Sequence, residues 1–311
     1  CQRGTQPNRV ETRVEPQPHC PTHVGAARLP CGQSGPGYAR AVDQKRRSTR
    51  QFPAFVGRRN QPAPNELLTM AESVVIIPTY NEIENIERML DTVLGLTPTF
   101  HVLIVDDGSP DGTAAAVKAK QTEHTGRIHL LERSGKLGLG TAYIAGFKWA
   151  LEHGYELVYE MDCDFSHNPQ DLPRLRQACV DGADVAVGSR YTRGGKVSNW
   201  PVGRILMSYF ASVYVNTILW LGVRDSTAGF KCYRAEVLRT IDLDRIRFIG
   251  YAFQIEMKYN ARRLGFRIDE VPITFVDREL GTSKMSMNIF QEAFLGVLQM
   301  RFRPIRPANK N

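Results

Sequence analysis

Cysteine is scarce in this 311-residue chain: Cys1, Cys20 and Cys31 stand near the start and Cys163, Cys179 and Cys232 are scattered farther on, none at metal-finger spacing. That spread excludes a disulfide framework and a zinc finger. No Gly-x-x-x-x-Gly-Lys-Ser/Thr run is present, and the glycine-rich stretch from Arg133 to Gly140 lacks the complete dinucleotide fingerprint. Its glycines either let backbone approach a ligand or simply form a turn. The N-terminus has no charged-then-apolar segment, so no signal peptide and a cytoplasmic setting are expected. The nineteen uncharged residues from Ile205 to Val223 come near the length of a membrane span, yet they include Ser208, Ser212, Asn216 and Thr217. Arg204, Ser208, Ser212 and Asn216 recur every fourth position, opposite Leu206, Phe210, Val213 and Leu221. An amphipathic helix is therefore expected there, not a transmembrane one.

Residues 1–72 lack apolar runs and periodicity but hold nine of the eighteen prolines. A disordered basic tail or linker is expected. Eleven Lys or Arg against five Asp or Glu give it a net charge of +6, and 29 basic against 27 acidic residues leave +2 for the remainder. The basic character is thus largely the tail's, and nucleic-acid binding, resting on that charge alone, is the weakest reading. No methionine precedes Met70, and patterned sequence starts directly after it, so residues 1–69 read as an upstream linker, a piece of a longer protein or a start-site artefact.

The informative part is acidic. The apolar run Val102 to Val105 closes on Asp106-Asp107, and Leu157 to Met161 closes on Asp162-Cys163-Asp164. In a parallel α/β sheet such strand ends share one edge, where ligands bind. Oxygen ligands that bridge to phosphates suit Mg2+ or Mn2+, so Asp164 is a candidate to hold the ion and Asp107 the nucleoside end of a nucleotide diphosphate. A solvated turn is the alternative for an isolated Asp-x-Asp.

Strands are expected at 73–77, up to Asp106, at 127–131, 157–161 and 184–188, alternating with helices, with Asn81 as the N-cap of the first helix. That alternation predicts a mostly parallel, doubly wound α/β sheet. The second half departs from it, with a segment 225–233, a helix 251–263, a strand 267–276 and a final helix at about 286–303 that either touches a membrane or packs on the core. Residues 73–304 are expected to form one domain, followed by a short tail, 305–311.

Read in order, Pro78-Thr79-Tyr80-Asn81-Glu82, the run from Asp106 to Thr113, Lys136 to Tyr143, Met161 to His167, Gly188-Ser189-Arg190-Tyr191, Asp225 to Lys231 and Phe275 to Lys284 resemble family 2 glycosyltransferases, and in particular the dolichol- or polyprenol-phosphate mannose synthases. The resemblance implies a GT-A, Rossmann-like fold with C-terminal amphipathic helices, GDP-mannose as donor, a polyprenyl (dolichyl) monophosphate as acceptor, and inversion at the sugar carbon. It places Pro78, Tyr80, Glu82, Asp107, Asp162 and Cys163 around the nucleotide sugar, and Asp162 and Asp164 on Mg2+ or Mn2+. It places Arg190, Arg204, Ser208 and Arg278 around the acceptor phosphate, with Asp164 and Arg278 as the catalytic pair. Ser166 stands where many relatives have Gln. The resemblance further implies a peripheral enzyme on the cytoplasmic side of a membrane, reaching its lipid through a membrane-protein partner or direct surface contact. Two rivals remain: a transferase of another sugar such as glucose from UDP-glucose, and an inactive nucleotide-binding subunit of a membrane complex.

Overall fold

The computed structural model describes residues 72–277 and 287–308, without the side chains of 251 and 287–293. The expected tail, but for Glu72, and Arg278 lie outside these residues. The described residues all belong to one compact unit, 59–311.

Strands β1 (Ser73–Thr79), β2 (His101–Asp106), β3 (Ile128–Glu132), β4 (Leu157–Glu160), β5 (Val185–Ser189), β7 (Lys231–Arg234) and β8 (Ile268–Pro272) form one sheet in the order β3-β2-β1-β4-β7-β5-β8. All neighbours are parallel except β7, which runs against both β4 and β5. Side chains of β1 alternate between two cores: Val75 and Ile77 face one, Val74 and Ile76 the other. Both faces are covered, which is why these strands read as unbroken apolar runs. Helices α1 (Ile83–Leu94), α2 (Thr113–Glu123) and α4 (Leu172–Val180) cover the first face; α3 (Leu139–Glu152), α6 (Ala235–Thr240) and α7 (Tyr251–Arg263) cover the second. Helix α3 comes close to β1 because Gly146 has no side chain; a Cβ there would lie 2.7 Å from Ile76 Cγ2.

The segment 225–233, left without an assignment by the sequence, supplies β7, an antiparallel strand inserted between two parallel ones, and two further expectations need correction. A fully buried network holds it: Lys231 Nζ lies 3.1 Å from Glu160 Oε1, Tyr233 donates to Glu160 Oε1 at 3.0 Å, Gln254 donates to Glu160 Oε2 at 2.8 Å, and Lys231 also donates to Gln254 Oε1. The expected strand 267–276 breaks at Ile273, and its second half, β9 (Thr274–Val276), pairs instead with β6 (Lys196–Ser198). Asn81 does not cap α1. It takes a left-handed backbone, φ 58°, and the first turn is satisfied from the next loop, where Ser109 Oγ, Thr113 Oγ1 and Asp111 Oδ2 accept from the N–H groups of Asn81, Glu82 and Ile83.

Helix α5 (Val202–Leu219) has the expected amphipathic pattern, turned inside out. Ser212, Val215 and Leu219 are buried, and Arg204, Ser208 and Asn216 lie half-buried on that side. Val202, Leu206, Met207, Tyr209, Phe210 and Val213 face outward, with Phe210 62% exposed. The helix docks on α7 and α8 (Met287–Phe302) through a third cluster that includes Val215, Leu219, Ile255, Tyr259, Val297 and Met300. Among the described residues it is the one helix long and apolar enough to cross a membrane, by length and composition only.

At the amino-terminal edge of the sheet, His101 Nδ1 and Tyr155 Oη lie 2.7 Å apart and Tyr155 Oη lies 3.2 Å from His129 Nε2. Burial lowers the pKa of both histidines; Arg127 adds to this at His101 against Glu72, and His101 and His153 add to it at His129. The native state thus binds fewer protons than the unfolded chain as pH falls. Stability from this pair is fully present above the unfolded histidine pKa of about 6.5 and is lost as pH drops through the lowered native values. Urea unfolding should show stability falling between about pH 7 and pH 5, with a shallower fall in His129→Gln. Gly146→Ala should lower stability by about 1–3 kcal/mol in the same measurement, because neither Ile76 nor the α3 backbone has room to yield.

Candidate active site

The strand order reverses between β1 and β4, and the carboxyl ends of both carry predicted site residues. After β2 the two acids part ways. Asp106 accepts from Thr79 Oγ1 at 2.9 Å and from Ser109 N and Oγ at 2.9 and 2.6 Å, so it ties the β1 and β2 loops together. Asp107 accepts from Arg133 Nε at 2.6 Å and from Leu137 N at 3.3 Å, with Arg133 Nη2 also 2.6 Å from Oδ1. Asp107 therefore anchors the glycine-rich loop that the sequence left open between ligand cradle and turn. Lys136 from that loop stands 4.8 Å from the Tyr80 ring centroid, and Glu82 accepts from Asn85 Nδ2 at 3.1 Å. Pro78 is half-buried at the end of β1.

Beyond β4, the Asp162 side chain is 38% exposed and accepts from Tyr143 Oη at 3.2 Å. Its backbone N–H donates to His167 Nδ1 at 3.3 Å. Asp164 is buried and accepts from Ser166 N and Oγ at 3.1 and 2.6 Å. Between them Cys163 packs into the core, its thiol pushed well up by burial and by the nearby carboxylates of Glu82, Asp164 and Asp162. Phe165 sits at φ 57°, a left-handed conformation costly for a bulky residue, so the loop is held in place by its surroundings. Two carboxylates spaced by one residue present hard oxygen donors, the set that Mg2+ and Mn2+ take. Among the described residues no group of three or more His, Cys, Asp or Glu has metal-holding geometry.

Of the predicted acceptor residues, Arg190, Arg204 and Ser208 come together at the same edge, and Arg278 lies outside the described residues. Arg190 follows β5 and grips Asp225, its Nε 2.7 Å from Oδ2 and its Nη2 2.7 Å from Oδ1, while Nη2 also donates to Thr227 Oγ1 at 2.8 Å. Burial alone would push the Asp225 carboxyl up, but the Arg190 charge and hydrogen bonds outweigh it and hold the pKa below its usual value. Asp225 reaches this edge because β7 is antiparallel, so the loop leading into it lies where its parallel neighbours end. Arg204, in the first turn of α5, donates from Nη1 to both Asp277 oxygens at 3.3 Å. Ser208 lies one turn on along the same face.

His167 bridges the two groups. Its ring is 3.8 Å from Asp162 Oδ2, stacks on Phe230 at 5.1 Å and meets the edge of Phe275 at 5.6 Å. Phe275 in turn lies 5.5 Å from the Arg190 guanidinium. A continuous line of contacts thus runs from the acidic pair to the arginines.

The sequence pattern of Glycosyl transferase family 2 matches residues 74–242. This chain belongs to glycosyl transferase family 2. Among curated proteins it is similar to the polyprenol monophosphomannose synthase of Mycolicibacterium smegmatis, 46% identical over 79% of this chain and 94% of that protein. It is also similar to the undecaprenyl-phosphate mannosyltransferase of Micrococcus luteus, 50% identical over 72% of this chain and 91% of that one. Among solved structures, glucosyl-3-phosphoglycerate synthase from Mycobacterium tuberculosis in complex with Mn2+, uridine-diphosphate and glucosyl-3-phosphoglycerate superimposes with a TM-score of 0.57 at 17% identity, over 80% of this chain and 88% of that one. The same enzyme with Mg2+ and uridine-diphosphate gives 0.56 at 17% identity, over 76% and 81%. The fold of this glycosyltransferase is accordingly GT-A-like.

Several residues that build the site were not singled out from the sequence. Arg133, Tyr143, His167 and Asp225 all stand inside or beside the quoted motifs, but spacing alone assigns them no partner. In this transferase the Arg133–Asp107 pair is largely buried, with side chains 11% and 8% exposed. Arg133→Met should therefore destabilise the protein by about 3–5 kcal/mol in urea unfolding, and the double replacement Arg133→Met with Asp107→Leu should recover much of that loss.

Proposed function

We propose that this chain transfers mannose from GDP-mannose to a polyprenyl (dolichyl) monophosphate with inversion, giving a polyprenyl β-mannosyl phosphate. The observation that carries the reading is the meeting at one sheet edge of an Asp-x-Asp pair with Arg190 and Arg204, joined through His167 and Phe275. The names of the two curated relatives, one a polyprenol monophosphomannose synthase and one an undecaprenyl-phosphate mannosyltransferase, support it. In this reading Pro78, Tyr80, Glu82 and Asp107 take the nucleoside end. Asp162 and Asp164 hold Mg2+ or Mn2+, with Tyr143 orienting Asp162 and Ser166 orienting Asp164. When bound, the ion neutralises charge that develops on the leaving diphosphate.

The acceptor needs no strong base. A phosphate monoester loses its second proton near about pH 6, so its oxygen is already a nucleophile at neutral pH. Arg190, Arg204 and, from the family resemblance, Arg278 position that oxygen on the face of the sugar opposite GDP. Their planar forks suit phosphate. Asp225 and Asp277 offset part of the arginine charge, which keeps the nucleophile from being over-neutralised.

The outward apolar face of α5 fits direct contact with a lipid surface at the cytoplasmic side of a membrane. Helix α8 continues it. Tyr214 of α5 stacks on Phe294 at 4.6 Å, and Leu295 and Phe302 are exposed.

The test is transfer of label from radiolabelled GDP-mannose to a short polyprenyl phosphate, extracted into organic solvent, with Mg2+ or Mn2+. Wild-type transfer that Asp164→Ala abolishes is the expected result. Transfer from UDP-glucose in its place would overturn the donor, and binding without turnover, even with membranes added, would favour the scaffold role.

A further inference from the structure

Arg190 and Arg204 come from separate elements, the end of β5 and the first turn of α5, and each has its own carboxylate partner. Two like charges at one site repel, so something must hold them together before an anion arrives. Both lie on one aromatic ring. The Arg204 guanidinium carbon is 3.9 Å from the Trp200 centroid, and that of Arg190 is 5.5 Å from it, both within cation–π range. Phe275 of β9 meets the Trp200 ring edge to face at 5.2 Å and 70°, fixing it from the other sheet. Asn199, just before it, adopts φ 64°, so the chain takes an uncommon turn to deliver the indole here.

A second, independent observation points to a ligand. Trp200 Nε1 is buried and has no hydrogen-bond partner among the described residues. A buried donor left over beside two guanidinium groups is an expensive arrangement unless an oxygen-rich anion completes it. An indole is also the strongest of the aromatic rings for cations, so Phe or Tyr would serve less well.

We propose that Trp200 is a positioning residue for the acceptor: its ring holds Arg190 and Arg204 together as a two-cation clamp for a phosphate monoester. This rests on the functional reading above, since it names what sets the geometry of that same phosphate site. Trp200 acts through the arginines, whereas the sugar nucleotide lies at the Asp162 end of the cleft. Its loss therefore falls on the acceptor and spares the donor.

Steady-state kinetics on the full chain, varying short polyprenyl phosphate and GDP-mannose separately, test this. Trp200→Leu raises the acceptor KM about ten-fold and leaves the donor KM within about two-fold, and Trp200→Phe recovers part of the loss. An unchanged acceptor KM in Trp200→Leu overturns the proposal, as does an equal rise in both KM values with a lowered melting temperature, which marks a merely structural role. A binding measurement separates this from the functional reading. In a Trp149→Phe, Trp220→Phe chain Trp200 is the sole indole. Its fluorescence should change on titration with short polyprenyl phosphate and not with the matching polyprenol. A change seen even where no sugar is transferred upholds the clamp while overturning the reaction; no change with the phosphate overturns the clamp.

Discussion

The buried contact between Glu160 and Lys231 is the constraint on which the rest of the architecture depends. These residues face each other across the antiparallel β4–β7 ladder, both with fully buried side chains. Burial lowers the Lys231 pKa while Glu160 pulls it back up. A charge so placed cannot be left alone, and either partner without the other would be strongly unfavourable in the sheet. Tyr233 and Gln254 complete the hydrogen bonding of Glu160. A slip of β7 by one residue would flip Lys231 to the other face and break the set, so the network fixes the register. Two residues past Glu160 stands Asp162, and the loop just before Lys231 carries Asp225. One buried network thus sets the position of both halves of the cleft.

Those halves are built by different means. Around the acidic strand ends, hydroxyls and backbone N–H groups hold Asp106 and Asp164, from Ser109 and Thr79 and from Ser166, while Arg133 and Leu137 N hold Asp107. Around Arg190 and Arg204 it is guanidinium groups against carboxylates and rings, with Arg190 by itself reaching Asp225, Thr227 and the Tyr191 ring. Glu270 of β8 supports this from behind, accepting from the backbone N–H of Arg224 and Asp225. Bonds within and between neighbouring loops keep the acids in place. In the proposed reading, the charged partners of the arginines can be shared with an incoming anion.

What was legible in the sequence follows physical lines. Strands β1 to β5 and the helices between them were readable because strands buried on both faces form apolar runs and amphipathic helices keep their period. The acidic strand ends marked the edge where the candidate site lies, and the ordered motifs announced the family. Strand β7 was not readable as an inserted antiparallel strand, since Lys231 looks like a surface residue until Glu160 is seen opposite it. The break at Ile273 was hidden because Val271, Ile273 and Phe275 continue one pattern across it. Asn81 carries the right chemistry for a cap, but Ser109, Asp111 and Thr113 on a neighbouring loop took the task. Trp200 gave no signal, since an aromatic ring in a loop has no periodicity to mark its partners.

Helix α5 wears Val202, Leu206, Met207, Tyr209, Phe210 and Val213 on the outside and keeps its serines, asparagine and arginine on the inner side with Val215 and Leu219. A protein that rests this face on a leaflet no longer searches a volume for its acceptor but a plane. The quantity that governs encounter is then the number of acceptor molecules per unit of surface, and diluting the bulk solution leaves it untouched. Adding inert lipid would slow such an enzyme; adding buffer would not.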